Sequence, residues 1–146
     1  MKLNQLSVFL ENKPGQLKMA CRLLADAQIS ILTLSLADTK QFGILRLIVR
    51  EWERALAIME KAGFVIKVTE VAAVEVADRP GGLAQILQAI EDAGLNVEYM
   101  YAFTFGRDGK AVLIFRFDNV DAAILKLREK GVNFVGSVEL YARVEN

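Results

Sequence analysis

The sequence contains no histidine, a single cysteine and only two prolines among its 146 residues. The lack of histidine removes the commonest general base and the commonest transition-metal ligand, and one cysteine cannot form a disulfide within the chain. No apolar run approaches the roughly 20 residues that a transmembrane helix needs, and no basic-then-apolar leader opens the chain. We therefore expect a cytoplasmic protein without metal, cofactor or membrane association.

The charges of the chain balance, with 18 basic and 18 acidic residues and a net charge of +0 at pH 7. A neutral chain offers no electrostatic footprint for nucleic acid, so we expect no nucleic-acid partner. Hydrophobic residues make up 53% of the sequence and charged residues 25%, which is typical of a folded protein with a substantial core.

A six-residue motif occurs twice, and its two copies contain both prolines. Residues 12–17 read NKPGQL, and residues 78–83, at an offset of 66, read DRPGGL. The same offset relates Gly43 to Gly109, after which the second copy gains two residues. A period this long in a chain this short indicates two small domains of one fold, which we place at residues 1–70 and 71–146.

Each copy shows the same order of elements. Alternating apolar residues predict strands, and apolar stripes at spacings of three and four predict helices. The helices are expected to begin at Pro14 and Pro80, and Gly43 is placed in the turn before a third strand. We predict an α+β protein of two ferredoxin-like βαββαβ domains, each an antiparallel sheet with helices on one face. No flexible spacer separates the copies, so we expect the domains to be held rigidly.

The repeated Pro-Gly loop has the composition of a small-molecule receptor. A tight turn that opens a helix points free N–H groups at one place, where the helix dipole adds positive charge, and this suits a carboxylate. Gly15, Gly81 and Gly82 leave the backbone accessible, and Asn12 or Asp78 could accept hydrogen bonds from an ammonium group. The alternative is purely structural, because Asn, Asp, Pro and Gly also serve as caps and turn residues.

The motif Asn/Asp-Lys/Arg-Pro-Gly-x-Leu, followed by a helix and a strand entry of the type Ala-x-Ile/Leu-Asn/Ser-Ile/Val, resembles the ACT domain family. The resemblance covers nearly the whole chain as two tandem copies. It implies a non-catalytic regulatory module that binds an amino acid or a similar small molecule where two ACT domains meet. Nothing is left over after two copies, so the chain resembles stand-alone tandem members that act on a separate partner, such as an enzyme. A homodimer is also expected.

The resemblance also implies which residues bind the ligand. The loop positions are Asn12, Pro14, Gly15, Gln16 and Leu17 in the first copy, and Asp78, Pro80, Gly81, Gly82 and Leu83 in the second. The strand-entry positions are Ser30, Ile31, Asn96 and Val97. In the family, a first loop works with the strand entry of a neighbouring domain. Asn12 and Asn96 both carry the side-chain amide that is typical of the family at these positions, so this pair is the expected amino-acid site. The pair of Asp78 with Ser30 departs from that pattern.

Three alternatives remain open. Aromatic residues of the second copy could form a protein-interaction surface, and these are Tyr99, Tyr101, Phe103 and Phe105. An RNA-recognition domain shares the element order, but the neutral charge argues against it. A small metabolic enzyme would need an acid-base cluster. The groups that most resemble such a cluster in the sequence are Asp38 with Thr39 and Lys40, and Asp118 with Asp121.

Overall fold

The computed structural model describes residues 1–38 and 40–145, with all of their side chains except those of Asp38, Thr104, Phe105 and Glu145. The chain divides into two compact units. The first unit is Asn4–Thr69, and the second unit combines Met1–Leu3 with Glu70–Asn146.

The first unit contains two helices and a sheet whose strand order is β2-β3-β1-β4. β3 pairs antiparallel with both β1 and β2. The elements are β1 (Lys2–Glu11), α1 (Gln16–Asp26), β2 (Ile31–Asp38), β3 (Phe42–Val49), α2 (Trp52–Lys61) and the start of β4 (Val65–Ala77).

The second unit repeats this arrangement with the strand order β5-β6-β4-β7. β4 pairs antiparallel with both β6 and β7, and β5 pairs antiparallel with β6. The elements after β4 are α3 (Gly82–Asp92), β5 (Val97–Arg107), β6 (Lys110–Phe117), α4 (Val120–Glu129), β7 (Asn133–Val135) and α5 (Ser137–Glu145). None of the helices described is long and apolar enough to cross a membrane.

Each unit has its own hydrophobic core between one sheet face and its helices. In the first unit, Val8 and Leu45 of the sheet belong to one buried cluster with Leu24 of α1 and Met59 of α2. In the second unit, the corresponding cluster is built from strand residues such as Val74 and Phe115 and helix residues such as Ile90 and Leu127. The prediction of two ferredoxin-like βαββαβ domains is confirmed.

The Pro-Gly pairs form turns that precede the helices, so the prediction that the helices begin at the prolines is wrong. α1 begins at Gln16, and Gly15 before it has φ 91° and ψ −17°. Gly81 has φ 86° and ψ −9°, and α3 begins at Gly82. The N–H of Gln16 donates to the carbonyl of Lys13 at 3.4 Å. These are type II turns, in which Pro suits the second position and the left-handed third position favours Gly.

The two extra residues of the second copy lie before Gly109, not after it as the comparison of the two copies predicted. The N–H of Asn12 donates to Gln41 O at 2.9 Å, and the N–H of Asp78 donates to Gly109 O at 2.8 Å. Gln41, and not Gly43, is therefore the structural counterpart of Gly109. The insertion falls in β5, which has 11 residues against 8 in β2 and shifts register between Ala102 and Gly106. Gly43 accordingly lies inside β3, not in a turn.

Helix α5 follows the last strand of the second ferredoxin-like domain, and this addition to the βαββαβ order was not predicted from the sequence. It is attached through Glu75, whose side chain is 8% exposed. Arg143 of α5 and Lys110 of β6 each contact the Glu75 carboxylate at 2.9 Å. The Asn133 amide donates to it at 3.0 Å. Burial alone would raise the pKa of Glu75, but these three hydrogen bonds outweigh it and hold the pKa below its usual 4.5.

Substitution of Gly82 by Ala should destabilise the protein. A Cβ at Gly82 would lie 1.9 Å from the carbonyl oxygen of Ala77, so the backbone of α3 or β4 would have to move. The helix propensity that Ala gains is about 1 kcal/mol, whereas overpacking costs about 1–3 kcal/mol, and this contact is shorter than ordinary overpacking. We expect a net loss of about 2 kcal/mol in urea unfolding. Gln16→Ala, at the equivalent position of α1, is the control and should change stability by less than about 0.5 kcal/mol. Equal effects of the two substitutions would contradict this explanation.

Acidification should weaken the attachment of α5. Because the folded-state pKa of Glu75 is lowered, the stability that this carboxylate contributes is present above about pH 4.5 and is lost as the pH falls through the lower folded-state value. The difference in unfolding free energy between wild type and Glu75→Gln should therefore narrow below that pH. Glu98→Gln, which alters a more exposed ion pair with Arg116, is the control. If the difference in unfolding free energy between wild type and Glu75→Gln stays constant from neutral to acidic pH, the carboxylate does not form these stabilising hydrogen bonds.

Candidate ligand-binding site

The first loop connects the end of β1 to the start of α1 in four residues. Backbone hydrogen bonds fix it, with the N–H of Asn12 bonded to Gln41 O and the N–H of Lys13 bonded to Glu11 O, both at 2.9 Å. Asn12, Pro14 and Gly15 are exposed, and Gln16 is half-buried. The loop is thus rigidly held by its backbone while its side chains face outward.

No side chain caps the start of α1 or of α3 within the residues that the structure describes. The residues at the cap positions are Gly15 and Gly81, so the structural interpretation of Asn12 and Asp78 as N-caps is wrong. The chain does use such a cap elsewhere, because Asn119 Oδ1 accepts from the N–H of Ala122 at 3.0 Å at the start of α4. The first N–H groups of an uncapped helix have no intrahelical partner and carry partial positive charge, so they attract anions.

The space beside the two left-handed glycines is open. A Cβ built at Gly15 or at Gly81 would meet no atom within 4 Å. A small molecule can therefore approach the backbone at these points. Gly82 is different, because its lack of a side chain is required by the contact with Ala77 described above. Glycine there serves packing, and the second loop lies closer to its own strand than the first.

A cavity of about 170 Å³ adjoins the first loop. Its apolar lining comes from Leu10, Leu17, Leu36 and Gly43, and its polar lining comes from Glu11, Asn12 and Lys13. Of the residues predicted from sequence, Asn12 and Leu17 line it. Gln16 lines a separate, more open cavity of about 400 Å³ together with Phe9, Met19 and Phe42.

Charged groups of both signs border the first cavity. Lys13 Nζ lies 3.1 Å from Glu11 Oε2, and both side chains are more than half exposed. An exposed pair of this kind contributes at most about 1 kcal/mol, so a ligand bearing both charges can replace it at little cost. In the second loop, Arg79 corresponds to Lys13 but Ala77 corresponds to Glu11. The carboxylate there belongs to Asp78, which lies beside Gly106 of β5.

The sheet register separates each loop from the strand entry of its own unit. In the first unit, Glu11 pairs with Phe42 and Ile31 pairs with Val49, at opposite ends of β3. Seven residues of strand span about 23 Å. In the second unit, Ala77 and Val97 likewise pair with opposite ends of β6. Neither unit therefore brings its own loop and strand entry together.

The remaining predicted residues divide between surface and core. Ser30 and Asn96 are exposed, as are Asp78, Pro80 and Gly81. Ile31 and Val97 pack against the hydrophobic cores of their units, and so does Leu83. Leu17, the counterpart of Leu83, is 39% exposed beside the cavity. The same position thus serves the core in one copy and the cavity in the other.

Five residues that line the cavity were not predicted as site residues from the sequence. These are Leu10, Glu11, Lys13, Leu36 and Gly43. Leu36 and Gly43 come from β2 and β3, and only the strand register brings them next to the loop. Glu11 and Lys13 carried a local signal, since opposite charges flank Asn12 in the sequence.

The aromatic residues and aspartates that the structure describes in the other candidate clusters are buried, half-buried or already paired, although Asp121 and Lys2 also line a cavity of about 570 Å³. Phe103 is 7% exposed, and Tyr99 and Tyr101 are half-buried, while the side chain of Phe105 lies outside the described residues. Asp118 accepts from the N–H of Asn119 at 3.0 Å, and Asp121 pairs with Lys2 at 3.2 Å. Thr39 and the side chain of Asp38 also lie outside the described residues. Among the side chains that the structure does describe, no group of His, Cys, Asp or Glu could hold a metal ion.

Comparison with solved structures confirms the fold. Protein BT0572 from Bacteroides thetaiotaomicron is 35% identical, with a TM-score of 0.89 over 97% of this chain and 96% of that one. The ligand-free regulatory subunit of aspartate kinase from Thermus thermophilus is 16% identical, with a TM-score of 0.62 over 86% and 91%. Its counterpart from Thermus flavus, also 16% identical, has a TM-score of 0.59 over 86% and 90%. No curated protein matches the sequence.

A family profile described as an ACT domain pair matches residues 1–144. The match includes both Pro-Gly loops, both ferredoxin-like domains and nearly all of α5. It agrees with the resemblance that the repeated motif shows in the sequence. The chain therefore belongs to the family of ACT domain pairs.

Proposed function

We propose that this protein is a non-catalytic regulatory protein that binds a free amino acid at its first loop. One observation carries the proposal: α1 begins without a side-chain cap, behind an open left-handed glycine, beside a cavity bordered by charges of both signs. An amino acid is the small molecule whose two charges match this arrangement.

The ligand's carboxylate is placed at the start of α1. The N–H groups of Leu17 and Lys18 lie in the first helical turn, where they have no carbonyl partner within the helix. Lys13 can add a charge-assisted hydrogen bond from the other side of the loop. The ammonium group then bonds the Glu11 carboxylate and the Asn12 side-chain oxygen. The ligand thereby replaces the exposed Lys13–Glu11 ion pair with two pairs of its own.

The strand-entry residues must reach this loop from another ACT domain, because the register separates them within each unit. We assign this role to a second copy of the chain, whose Asn96 completes the site at Asn12. Ser30 meets Asp78 in the same way, and Ile31 and Val97 position the two polar side chains through their core packing. The regulated target is a separate protein. The similar structures from Thermus are regulatory subunits of an enzyme, which favours an enzyme as the target.

A free amino acid should raise the melting temperature of the protein in a screen of the common amino acids. A ligand that binds only the folded state stabilises it by about 2.7 kcal/mol at a hundred times its Kd. Asn12→Ala removes a hydrogen bond to a charged group, which is worth about 1.5–3 kcal/mol, so affinity should fall roughly ten-fold or more. Lys13→Ala should also weaken binding, whereas Arg54→Ala, in the similarly exposed pair with Glu51, should not. If no amino acid shifts the melting temperature, the proposal fails.

Mixing of two inactive variants should restore part of the binding. Asn12→Ala and Asn96→Ala should each bind poorly alone. After subunit exchange at equal amounts, half of the dimers are mixed and one of their two Asn12 sites is intact, so about a quarter of the wild-type capacity returns. Calorimetric stoichiometry measures this capacity, and light scattering verifies the dimer. Normal binding by Asn96→Ala, or no recovery in the mixture, would refute the two-chain site while leaving the Asn12 loop as the receptor.

A further inference from the structure

The cavity beside the first loop has an apolar wall that the fold itself does not need. Leu10 is 3% exposed and belongs to the core, but Leu17 is 39% and Leu36 is 52% exposed. These two leucines lie on either side of the loop, at the start of α1 and in β2. Single exposed leucines are ordinary, but two that converge on one cavity with a third form a site for an apolar group.

Gly43 makes room beneath this wall. The residue lies within β3, paired with Leu10 of β1 and with Asp38 of β2. Its φ is outside the left-handed region, so the backbone does not require glycine at this position. A Cβ there would lie 3.3 Å from Leu36 Cδ1, and it would occupy the floor of the cavity or displace Leu36. Glycine within a strand weakens that strand, so its use near the start of β3 calls for a reason such as this space.

The second loop provides an internal comparison. The strand pairing Val76–Ala111 corresponds to Leu10–Gly43, and Ala102–Leu113 corresponds to Leu36–Leu45. Ala111 therefore places a methyl group where Gly43 leaves space. Ala102 offers a methyl group where Leu36 offers a full side chain. Both differences make the surroundings of the second loop less suited to an apolar ligand group than those of the first loop.

We infer that the ligand of the first loop is an amino acid with a branched aliphatic side chain, namely leucine, isoleucine or valine. This inference rests on the proposed function, which places the ligand's charged groups at Asn12 and α1. The alkyl group then packs among Leu10, Leu17 and Leu36 above Gly43. A volume of about 170 Å³ is well below the roughly 300–1,000 Å³ of drug-sized sites, and it suits a short alkyl chain better than an indole. The apolar wall offers no partner for a polar side chain.

Calorimetric titration of the full chain with leucine, isoleucine, valine, alanine, serine, aspartate, lysine and phenylalanine tests the inference. Each buried methylene group is worth about a four-fold gain in affinity, so the branched aliphatic amino acids should bind at least about ten-fold more tightly than alanine. Leu36→Ala should reduce leucine affinity by about ten-fold and leave alanine affinity nearly unchanged. Leu36 is half exposed, so this variant should fold normally, which circular dichroism verifies. Gly43→Ala should also weaken leucine binding, whereas Ala111→Gly at the equivalent position of the second loop should not.

The possible outcomes distinguish a wrong ligand class from a wrong proposed function. Tightest binding of a charged, polar or aromatic amino acid, abolished by Asn12→Ala, would overturn the ligand class and leave amino-acid binding intact. Equal loss of leucine and alanine affinity in Leu36→Ala would also overturn it, because the wall would then not contact the side chain. Binding of none of the eight would overturn the ligand class, and both proposals would fail if the melting-temperature screen of all the common amino acids were also flat.

Discussion

The short connection between a strand and the helix that follows it constrains this chain more than any other feature. Four residues must reverse direction between Glu11 and Gln16, and a type II turn with a left-handed glycine achieves this. The turn places glycine at the position where a side-chain cap would lie. It uses the N–H of Gln16, while the N–H groups of Leu17 and Lys18 have no partner within the helix. Such a cap is worth about 1 kcal/mol, and the chain uses one at Asn119. The stability that is forgone at the first Pro-Gly loop is consistent with a role in binding.

The two copies share this turn and differ in what surrounds it. In the second copy, the start of α3 touches the end of β4 so closely that only Gly82 fits, and Leu83 packs against the core. In the first copy, Leu17 stays half exposed and the loop borders a cavity. The duplicated motif therefore does not imply two equivalent sites. The first loop borders a cavity, and the second packs closely against its own strand.

Local sequence predicted the features that depend on local physics. Apolar periodicity and the repeated motif predicted the element order, because each helix and strand buries one face. The start of α1 was misplaced, because Pro suits both the first helical position and the second position of a type II turn. The position of the insertion and helix α5 were missed, since the first depends on the register of β5 and the second on a buried contact between Arg143 and Glu75. The apolar wall of the cavity was missed for the same reason, because Leu36 and Gly43 approach the loop only through strand pairing.

The account depends on the start of α1 acting as the receptor for the carboxylate of an amino acid. Backbone ¹H–¹⁵N NMR during an amino-acid titration measures this directly, residue by residue. The account predicts that the amide signals of Leu17 and Lys18 move most and shift downfield, as N–H groups do when they donate to a carboxylate. Saturable shifts confined to other parts of the chain, with these two amides unmoved, would contradict it.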